Sequence, residues 1–563
     1  MNSHNLLEVI ADSLSPFGEY SVIQSSKGEL VIKVTSLKIE ECLMALKKNC
    51  GFIQLVDIIG IDEKLNPEVQ KRFQLVYVLY NFEEQIRAAI EIEVGEAEII
   101  PSCSHIWCNA DWAEREIYDL LGIQITKKNK ITKRIFFPNR FTGHPLRKDF
   151  ESVDFECFED SDSPFEKDTD LTLEQMSQRT VVTMGPQQSG DRGAFRLWME
   201  MEDDLISRIE PELGFIHRGI EKLSENQNLN RSIHLSERLN YLSPSVGSLL
   251  WCRAIEEMIA IDIPERAKAI RMILLEMSRI IEHCRGIHSI QRELKLAAGE
   301  LQFSQIIKTG ERLLSRYSTT GHFSHLNMIG GMSRDLPHFW MGELMEWIRT
   351  VERHLFTGHE SLKSSQFWYD QNSIKGIMAS EALEWGVTGP ILRSCGVNFD
   401  LRKAEPFYFY QDVDFEIPLG INGTSFDIYL VKVEEIKQSL NILAQVADNL
   451  PVGDFVSQDQ RISFASKEKI KEGDLGAMAR NQRLINIGPT LPQGKKYTSL
   501  ESPNGELGLY LIGGNSAHPL RVKWRTPSFY HFQPFSNWAK GLSIDSARVV
   551  FESLNILTSE VDR

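Results

Sequence analysis

Pro264-Glu265-Arg266-Ala267-Lys268-Ala269-Ile270-Arg271-Met272-Ile273-Leu274-Leu275-Glu276-Met277-Ser278-Arg279-Ile280-Ile281 decides the fold class of this chain. Proline presets the backbone of a first helical turn, where its missing N–H is no loss, and the glutamate after it suits the positive end of a helix dipole. Ala267, Ile270, Ile273, Leu274, Met277, Ile280 and Ile281 return at 3.6-residue spacing, the stripe of a bundle helix. Helical patterns dominate from Val181 onward. Two strand-like runs open that part, Val181 to Met184 and Ala194 to Met199. Between them, Gly185-Pro186-Gln187-Gln188-Ser189-Gly190-Asp191-Arg192-Gly193 reads as a hairpin loop rich in turn residues.

Upstream the period changes. Glu29 to Val34 and Phe73 to Tyr80 alternate and are rich in β-branched or aromatic residues, whereas Ile39 to Lys48 and Ala110 to Leu121 carry helical spacing. Residues 1–150 therefore read as an α+β domain. The stretch Phe155-Glu156-Cys157-Phe158-Glu159-Asp160-Ser161-Asp162-Ser163-Pro164 is acidic and aperiodic, a linker or an extended crossing segment. The expected organisation is an α+β domain over 1–150, an acidic linker over 151–180, and a mainly α-helical bundle domain with small flanking β-sheets over 181–563.

With 563 residues, 42% hydrophobic and 25% charged, the chain is long enough for more than one core and ordinary for a soluble protein. A net charge of −16 excludes the basic face of a nucleic-acid binder. The eight cysteines include no C-x-x-C pair, so zinc and iron–sulfur spacings are absent and the thiols read as small buried apolar residues. No G-x-G-x-x-G follows a strand, so neither NADH nor flavin is expected on this chain, and Gly330-Gly331 and Gly513-Gly514 read as turn glycines. Neither a targeting segment nor a run of about 18 apolar residues is visible, which places the expected protein in the cytosol or on a membrane through a partner.

Two motif sets occur in colinear order. Asp111-Trp112-Ala113-Glu114-Arg115-Glu116-Ile117-Tyr118-Asp119-Leu120-Leu121-Gly122-Ile123 and Gly143-His144-Pro145-Leu146-Arg147-Lys148-Asp149-Phe150 resemble the signature of the 30-kDa subunit of respiratory complex I. Gly214-Phe215-Ile216-His217-Arg218-Gly219-Ile220-Glu221-Lys222-Leu223, Glu237-Arg238-Leu239-Asn240-Tyr241, Ile329-Gly330-Gly331-Met332-Ser333-Arg334-Asp335, Arg393-Ser394-Cys395-Gly396 and the terminal Val561-Asp562-Arg563 resemble the 49-kDa subunit. The whole is similar to the fused C/D subunit family of bacterial NADH-quinone oxidoreductase. That family shares its frame with nickel–iron hydrogenase large subunits, whose paired C-x-x-C positions are here Asn240, Ser243, Leu557 and Glu560. A soft metal needs thiolates there, so hydrogenase chemistry is excluded.

The resemblance implies a peripheral subunit on the cytoplasmic side of the bacterial inner membrane, in contact with other peripheral-arm and membrane-arm subunits. It implies no cofactor on this chain, an iron–sulfur cluster on the neighbouring subunit, and quinone as substrate between the two. Tyr241, by its residue type a half-buried core tyrosine, then matches the tyrosine that hydrogen-bonds a quinone carbonyl and gives it a proton. Arg218, beside His217, matches an arginine near the neighbouring cluster, where a fixed positive charge favours the reduced cluster; unaided, it reads as a surface or salt-bridged arginine. Asp119, Arg147 and Lys148 are assigned to the docking of neighbouring subunits, and His283 with Arg279 to a core or interface pair.

The hairpin loop departs from the family pattern G-P-Q-H-P-x-T-H-G, with Gln188 and Arg192 where histidines are expected. An ungapped alignment sets Lys295 in place of the partner aspartate, and Asn240 replaces the aspartate before the tyrosine. Histidine titrates near neutrality and passes protons, whereas arginine stays charged, so Arg192 can polarise a quinone oxygen without protonating it. Arg192 and Lys295 side by side would favour an anionic or reduced quinone and repel each other unless an acid such as Asp191 intervenes. Two readings follow. The chain is a working quinone-reductase subunit with an altered proton route, coupled to proton translocation elsewhere in the complex. Alternatively it is a structural or redox-partner subunit of a complex-I-like assembly with a non-standard or no quinone site.

Overall fold

The computed structural model describes residues 3–17, 20–24, 30–64, 70–127, 130–131, 133–138, 141–151, 179–186, 192–318, 325–363 and 376–563. Most of the acidic segment, the loop residues Gln187 to Asp191, and Cys157 lie outside them.

The N-terminal part is a five-stranded sheet in the order β1-β2-β5-β4-β3, with β1 Ser21–Gln24, β2 Leu30–Lys33, β3 Gln54–Asp62, β4 Phe73–Asn81 and β5 Ile86–Val94. Only β2 and β5 run parallel, as the Ile39–Asn49 helix between β2 and β3 allows β2 to cross over. The central strands β3 and β4 are buried along their whole length. At Gly60 in β3 a Cβ would stand 2.4 Å from Leu121 Cδ1, so glycine lets the Ala110–Leu121 helix lie close on the sheet. That helix stops at Gly122, whose φ of 75° is the left-handed cap. A small sheet of β6 Ile99–Pro101, β7 Gln124–Lys127 and β8 Lys130–Ile131 flanks it.

Downstream, β9 Arg179–Met184 pairs antiparallel with β10 Arg196–Glu202, the hairpin expected across Gly185 to Gly193. β11 Leu205–Glu212 completes that sheet. The bundle forms around the Glu265–Glu293 helix, against which the Pro244–Ile259, Ala297–Ser318, Ser425–Asp448 and Ile544–Leu554 helices pack. A ribbon of β12 Asn327–Met328 and β13 Gly331–Met332, turned by Gly330 and Gly331 at φ 95° and 146°, and a sheet of β14 Gly494–Ser502, β15 Gly505–Gly513 and β16 Arg521–Arg525 edge the bundle. The small flanking sheets match the expected fold class, a mixed α/β chain with an N-terminal α+β part and a mainly helical remainder.

The hydrophobic core does not divide at residue 150. One continuous cluster runs from Ile59, Tyr77 and Trp112 to Phe195, Ile391, Phe529, Phe551 and Val561, and a second fills the bundle. Buried ion pairs cross the same boundary: Lys523 to Glu116 at 2.7 Å, Arg563 to Glu116 at 2.8 Å, and Arg87 to Glu506 at 2.9 Å.

Of Asp119, Arg147 and Lys148, assigned to docking, Asp119 is an interior acid, and the other two also make contacts within the chain. The fully buried Asp119 carboxylate accepts the backbone N–H groups of Ile135, Phe136 and Phe137 and pairs with Arg134. Arg147 donates to the Leu121 carbonyl, capping a helix C-terminus, and Lys148 pairs with Glu225 at 2.8 Å. All three spend their hydrogen bonds within the chain. His283 and Arg279 are core residues, but not partners of each other. His283 Nε2 meets Glu435 at 2.8 Å, while Arg279 donates to the Glu501 and Ser502 carbonyls and to Glu276. Among the seven described cysteines, Cys42, Cys50, Cys103, Cys252, Cys284 and Cys395 are buried, with thiol pKa values above the usual range chiefly through burial.

Candidate functional site

The turn Arg238 to Ser243 links the Leu229–Glu237 and Pro244–Ile259 helices. At Gly247 a Cβ would lie 2.1 Å from the Ser236 carbonyl oxygen, so glycine brings the two helices close and keeps the turn tight. Asn240 Oδ1 accepts the backbone N–H groups of Leu242 and Ser243, each at 3.0 Å, the local bonding that suits asparagine to turns. Its Nδ2 donates to Glu560 at 2.8 Å and to Glu282 at 3.2 Å. Aspartate could accept the two N–H groups, but would set a third acid against the pair. With Glu282 present, only the amide serves both sides.

This brings Asn240, Ser243, Leu557 and Glu560 together. Ser243 Oγ donates to Glu282 and Ser528 Oγ to Glu560, and the Leu557 N–H reaches Ser528 Oγ at 3.1 Å. Together they form a hydrogen-bonded cluster of oxygens and nitrogens. Both carboxylates are buried, and burial followed by repulsion from Glu282 pushes the Glu560 carboxyl up to about 7. An acid with a raised folded pKa stabilises the fold fully below its unfolded value, and that contribution fades as pH rises through the folded value. Relative to Glu560→Gln, the wild-type protein should therefore lose about 3 kcal/mol of stability between roughly pH 4.5 and pH 7. Thermal unfolding of both proteins across that range measures the difference, and parallel curves would show that Glu560 has no such shift.

The cluster continues toward the hairpin loop. Asn504 Nδ2 donates to Glu282 at 2.6 Å, Asn555 Nδ2 donates to Asn504, and Arg192 Nη1 donates to Asn555 at 3.0 Å. Arg192 is buried and pairs with Glu552 at 2.8 Å, so its acid partner is this glutamate. Its backbone carbonyl accepts from the Thr558 hydroxyl and N–H. Buried Lys432, bonded to the Ser553 carbonyl at 2.8 Å, is the second cation nearby; burial and then Arg192 bring its pKa down to about 7.

Two neighbouring cavities open beside the turn. One, of about 250 Å3, is lined by Arg192, Leu242, Arg285, His288, Arg292 and Asn555. The other, of about 380 Å3 and more apolar, is lined by Leu242, Pro244, Leu274, Ile281, Leu314 and Leu326. Leu242, Lys308 and Glu311 border both. A cleft that is cationic at one end and apolar at the other suits a ligand with polar oxygens on an apolar body.

The sequence-predicted residues divide accordingly. Tyr241 is half-buried on the turn, next to Leu242, which lines both cavities, and within electrostatic reach of Arg218. Arg218 is exposed and donates to the Arg238 and Ser559 carbonyls at 2.9 and 3.0 Å. His217 stacks on Phe136 and meets the Asp562 carbonyl, and burial lowers its pKa. Lys295 is exposed on the turn after the long helix, with φ 58°, and lines neither cavity. The structure thus joins Tyr241 with Arg218 and places Arg192 on the cleft, and it does not set Lys295 beside Arg192. Sequence reasoning missed Glu282, Asn504, Glu552, Asn555 and Lys432. A glutamate directly after the apolar pair Ile280-Ile281 was the available signal.

The α+β part and the mainly helical remainder each match a respiratory-chain dehydrogenase subunit family. The family described as respiratory-chain NADH dehydrogenase, 30 Kd subunit, matches residues 32–156, and the 49 Kd subunit family matches residues 308–563. The chain is 32% identical to the C/D subunit of the NADH-quinone oxidoreductase of Bdellovibrio bacteriovorus, over 95% of each protein. It is 31% identical to the C/D subunit of Baumannia cicadellinicola, over 99% of this chain and 97% of that one. The D-type subunit of the Geotalea uraniireducens NADH-quinone oxidoreductase is 33% identical over 68% of this chain and 98% of its own length. The chain belongs to the C/D subunit family of NADH-quinone oxidoreductase.

Proposed function

We propose that this chain is the C/D subunit of a proton-translocating NADH-quinone oxidoreductase, passing electrons from iron–sulfur clusters on neighbouring subunits to a quinone held against the Tyr241 turn. The observation that carries the site assignment is the hydrogen-bonded run Arg192–Asn555–Asn504–Glu282–Asn240–Glu560, which reaches the Tyr241 turn at Asn240 and borders, at Arg192 and Asn555, a cleft with one cationic and one apolar end. Reduction of a quinone adds two electrons and two protons. Tyr241 supplies a neutral phenolic donor to one oxygen as charge builds on it. Arg192 holds charge at the cleft without giving a proton, so the groups titrating near neutrality behind it, Glu560 and Lys432, are the proton reserve.

In this reading the 30-kDa-type domain spans 1–150, the 49-kDa-type domain with a hydrogenase-like frame spans 181–563, and the acidic segment 151–180 joins them. The partners are the iron–sulfur protein that holds the terminal cluster and the membrane arm, on the cytoplasmic side of the inner membrane. No helix among the described residues is long and apolar enough to cross a membrane, consistent with a seat provided by the membrane arm.

Arg192→His tests the loop. It removes the cation paired with Glu552 and should lower quinone-dependent turnover of the assembled complex on the order of a hundredfold, the cost of losing one preorganised charge. A rate equal to or above wild type would show that the arginine is not the working group.

A further inference from the structure

A second constellation lies on the helix that leads into the Tyr241 turn. His234 and Glu237 stand three residues apart on the Leu229–Glu237 helix, on one face, and His325 enters from the segment before β12. His234 Nδ1 and His325 Nδ1 are 2.9 Å apart, and His325 Nδ1 is 2.7 Å from Glu237 Oε2. The three ligand atoms all fall within 4.8 Å of one another. The rings stand edge to face with centroids 4.4 Å apart, so their Nδ1 edges converge.

The surroundings hold that convergence in place. The His325 N–H donates to the other Glu237 oxygen at 2.8 Å, and Ser333 Oγ donates to the His325 carbonyl at 2.9 Å. His325 keeps a left-handed φ of 46°, a strained conformation of the kind that persists where surroundings enforce it. Glu237 is fully buried, His325 half-buried and His234 exposed, so the set has a closed floor and an open top.

We infer that His234, Glu237 and His325 form a binding site for a divalent cation of borderline softness, with zinc(II) the reference ion and a fourth position open to solvent. One proton placed among three converging acceptor atoms bonds at most two of them well, whereas an ion bonds all three. Tetrahedral zinc with ligands near 2.1 Å needs them roughly 3.4 Å apart, so the two short separations must open by about half an ångström. The exposed His234 ring can supply that movement. Two imidazoles and one carboxylate suit zinc over magnesium or calcium, which prefer all-oxygen shells. An imidazole with its N–H on Nε2 offers a free Nδ1 lone pair, the form in which both rings would bind the ion. Arg238, whose guanidinium donates to the His234 carbonyl, is the opposing charge beside the set, and it weakens the site without filling it. A bound ion would clip the segment leading into β12 to the helix that ends in the Tyr241 turn.

The test uses the purified full-length chain, stripped with chelator and titrated with cobalt(II). One equivalent should bind with the intense visible bands of a low-symmetry four-coordinate ion, and zinc(II) should bleach them. His234→Ala and His325→Ala should each weaken binding at least about tenfold, since even partners outside the ligand shell contribute that much. Arg238→Ala should strengthen it. Because His234 is exposed, its variant keeps the fold, and circular dichroism checks this. Absence of the bands, or bands that survive both histidine variants, would overturn the site without bearing on quinone chemistry.

Discussion

Tyr241→Phe should lower the quinone-reduction rate of the assembled complex by about a hundredfold or more while leaving the fold intact. The phenol lies on a turn fixed by Asn240, whose Oδ1 holds the Leu242 and Ser243 N–H groups, and both of those bonds remain when the phenolic oxygen is removed. Its neighbour Arg218 is anchored independently on the Arg238 and Ser559 carbonyls. The loss should therefore appear in kcat at unchanged melting temperature, and electron delivery from NADH to an artificial acceptor upstream of quinone should persist. A normal quinone rate in the variant would sink the site assignment and favour a structural or redox-partner subunit. The pH profile adds a second readout. If Glu560 and Lys432 feed the reaction, the wild-type rate should change near pH 7, where both titrate, and Glu560→Gln should displace that limb.

Local order was largely written in the sequence. The Ile39 to Lys48 and Ala110 to Leu121 stretches appear as helices Ile39–Asn49 and Ala110–Leu121, and Phe73 to Tyr80 as the strand Phe73–Asn81. These elements announce themselves because one face meets the core and the other does not. The long helix was legible only in part. Its apolar stripe shows one face, yet Glu276, Arg279, Glu282 and His283 on the other faces are also fully buried. Polar residues mark an exposed face only when their partners are unknown, and those partners, Arg402, Asn504 and Glu435, sit over a hundred residues away. The same distance hid the site. Glu560 was visible as a departure from a pattern, but its contact with Asn240 spans 320 residues. Asp119 misled for the reverse reason, since a signature residue near a boundary suggests docking until its three backbone partners are seen.

Arg393→Ala should cost the protein about 3–5 kcal/mol, enough to prevent accumulation of folded chain at physiological temperature. The fully buried guanidinium donates to Glu435 at 2.7 Å, Glu501 at 2.8 Å and the Phe399 carbonyl at 3.0 Å, and stands 3.4 Å from Asp400. Those groups come from the Ser425–Asp448 helix, β14 and the segment before Leu401, so one side chain neutralises three elements. The surrounding pKa values record how the charge is shared. Glu435 is held down at about 2 despite burial, by Arg393 and His283, whereas burial and Asp400 push Glu501 up. Alanine leaves these acids to neutralise themselves by taking up protons, which raises their folded pKa values. Stability of the variant should then fall further as pH rises, so the deficit measured by denaturant unfolding grows from pH 5.5 to pH 8. Lys38→Ala, which breaks the exposed pair with Glu41 at 3.1 Å, should cost at most about 1 kcal/mol in the same assay. Equal costs for the two would mean that the buried network is not what joins the bundle to its flanking sheet. A deficit that shrinks with rising pH would show that the acids around Arg393 are already protonated in the wild-type fold.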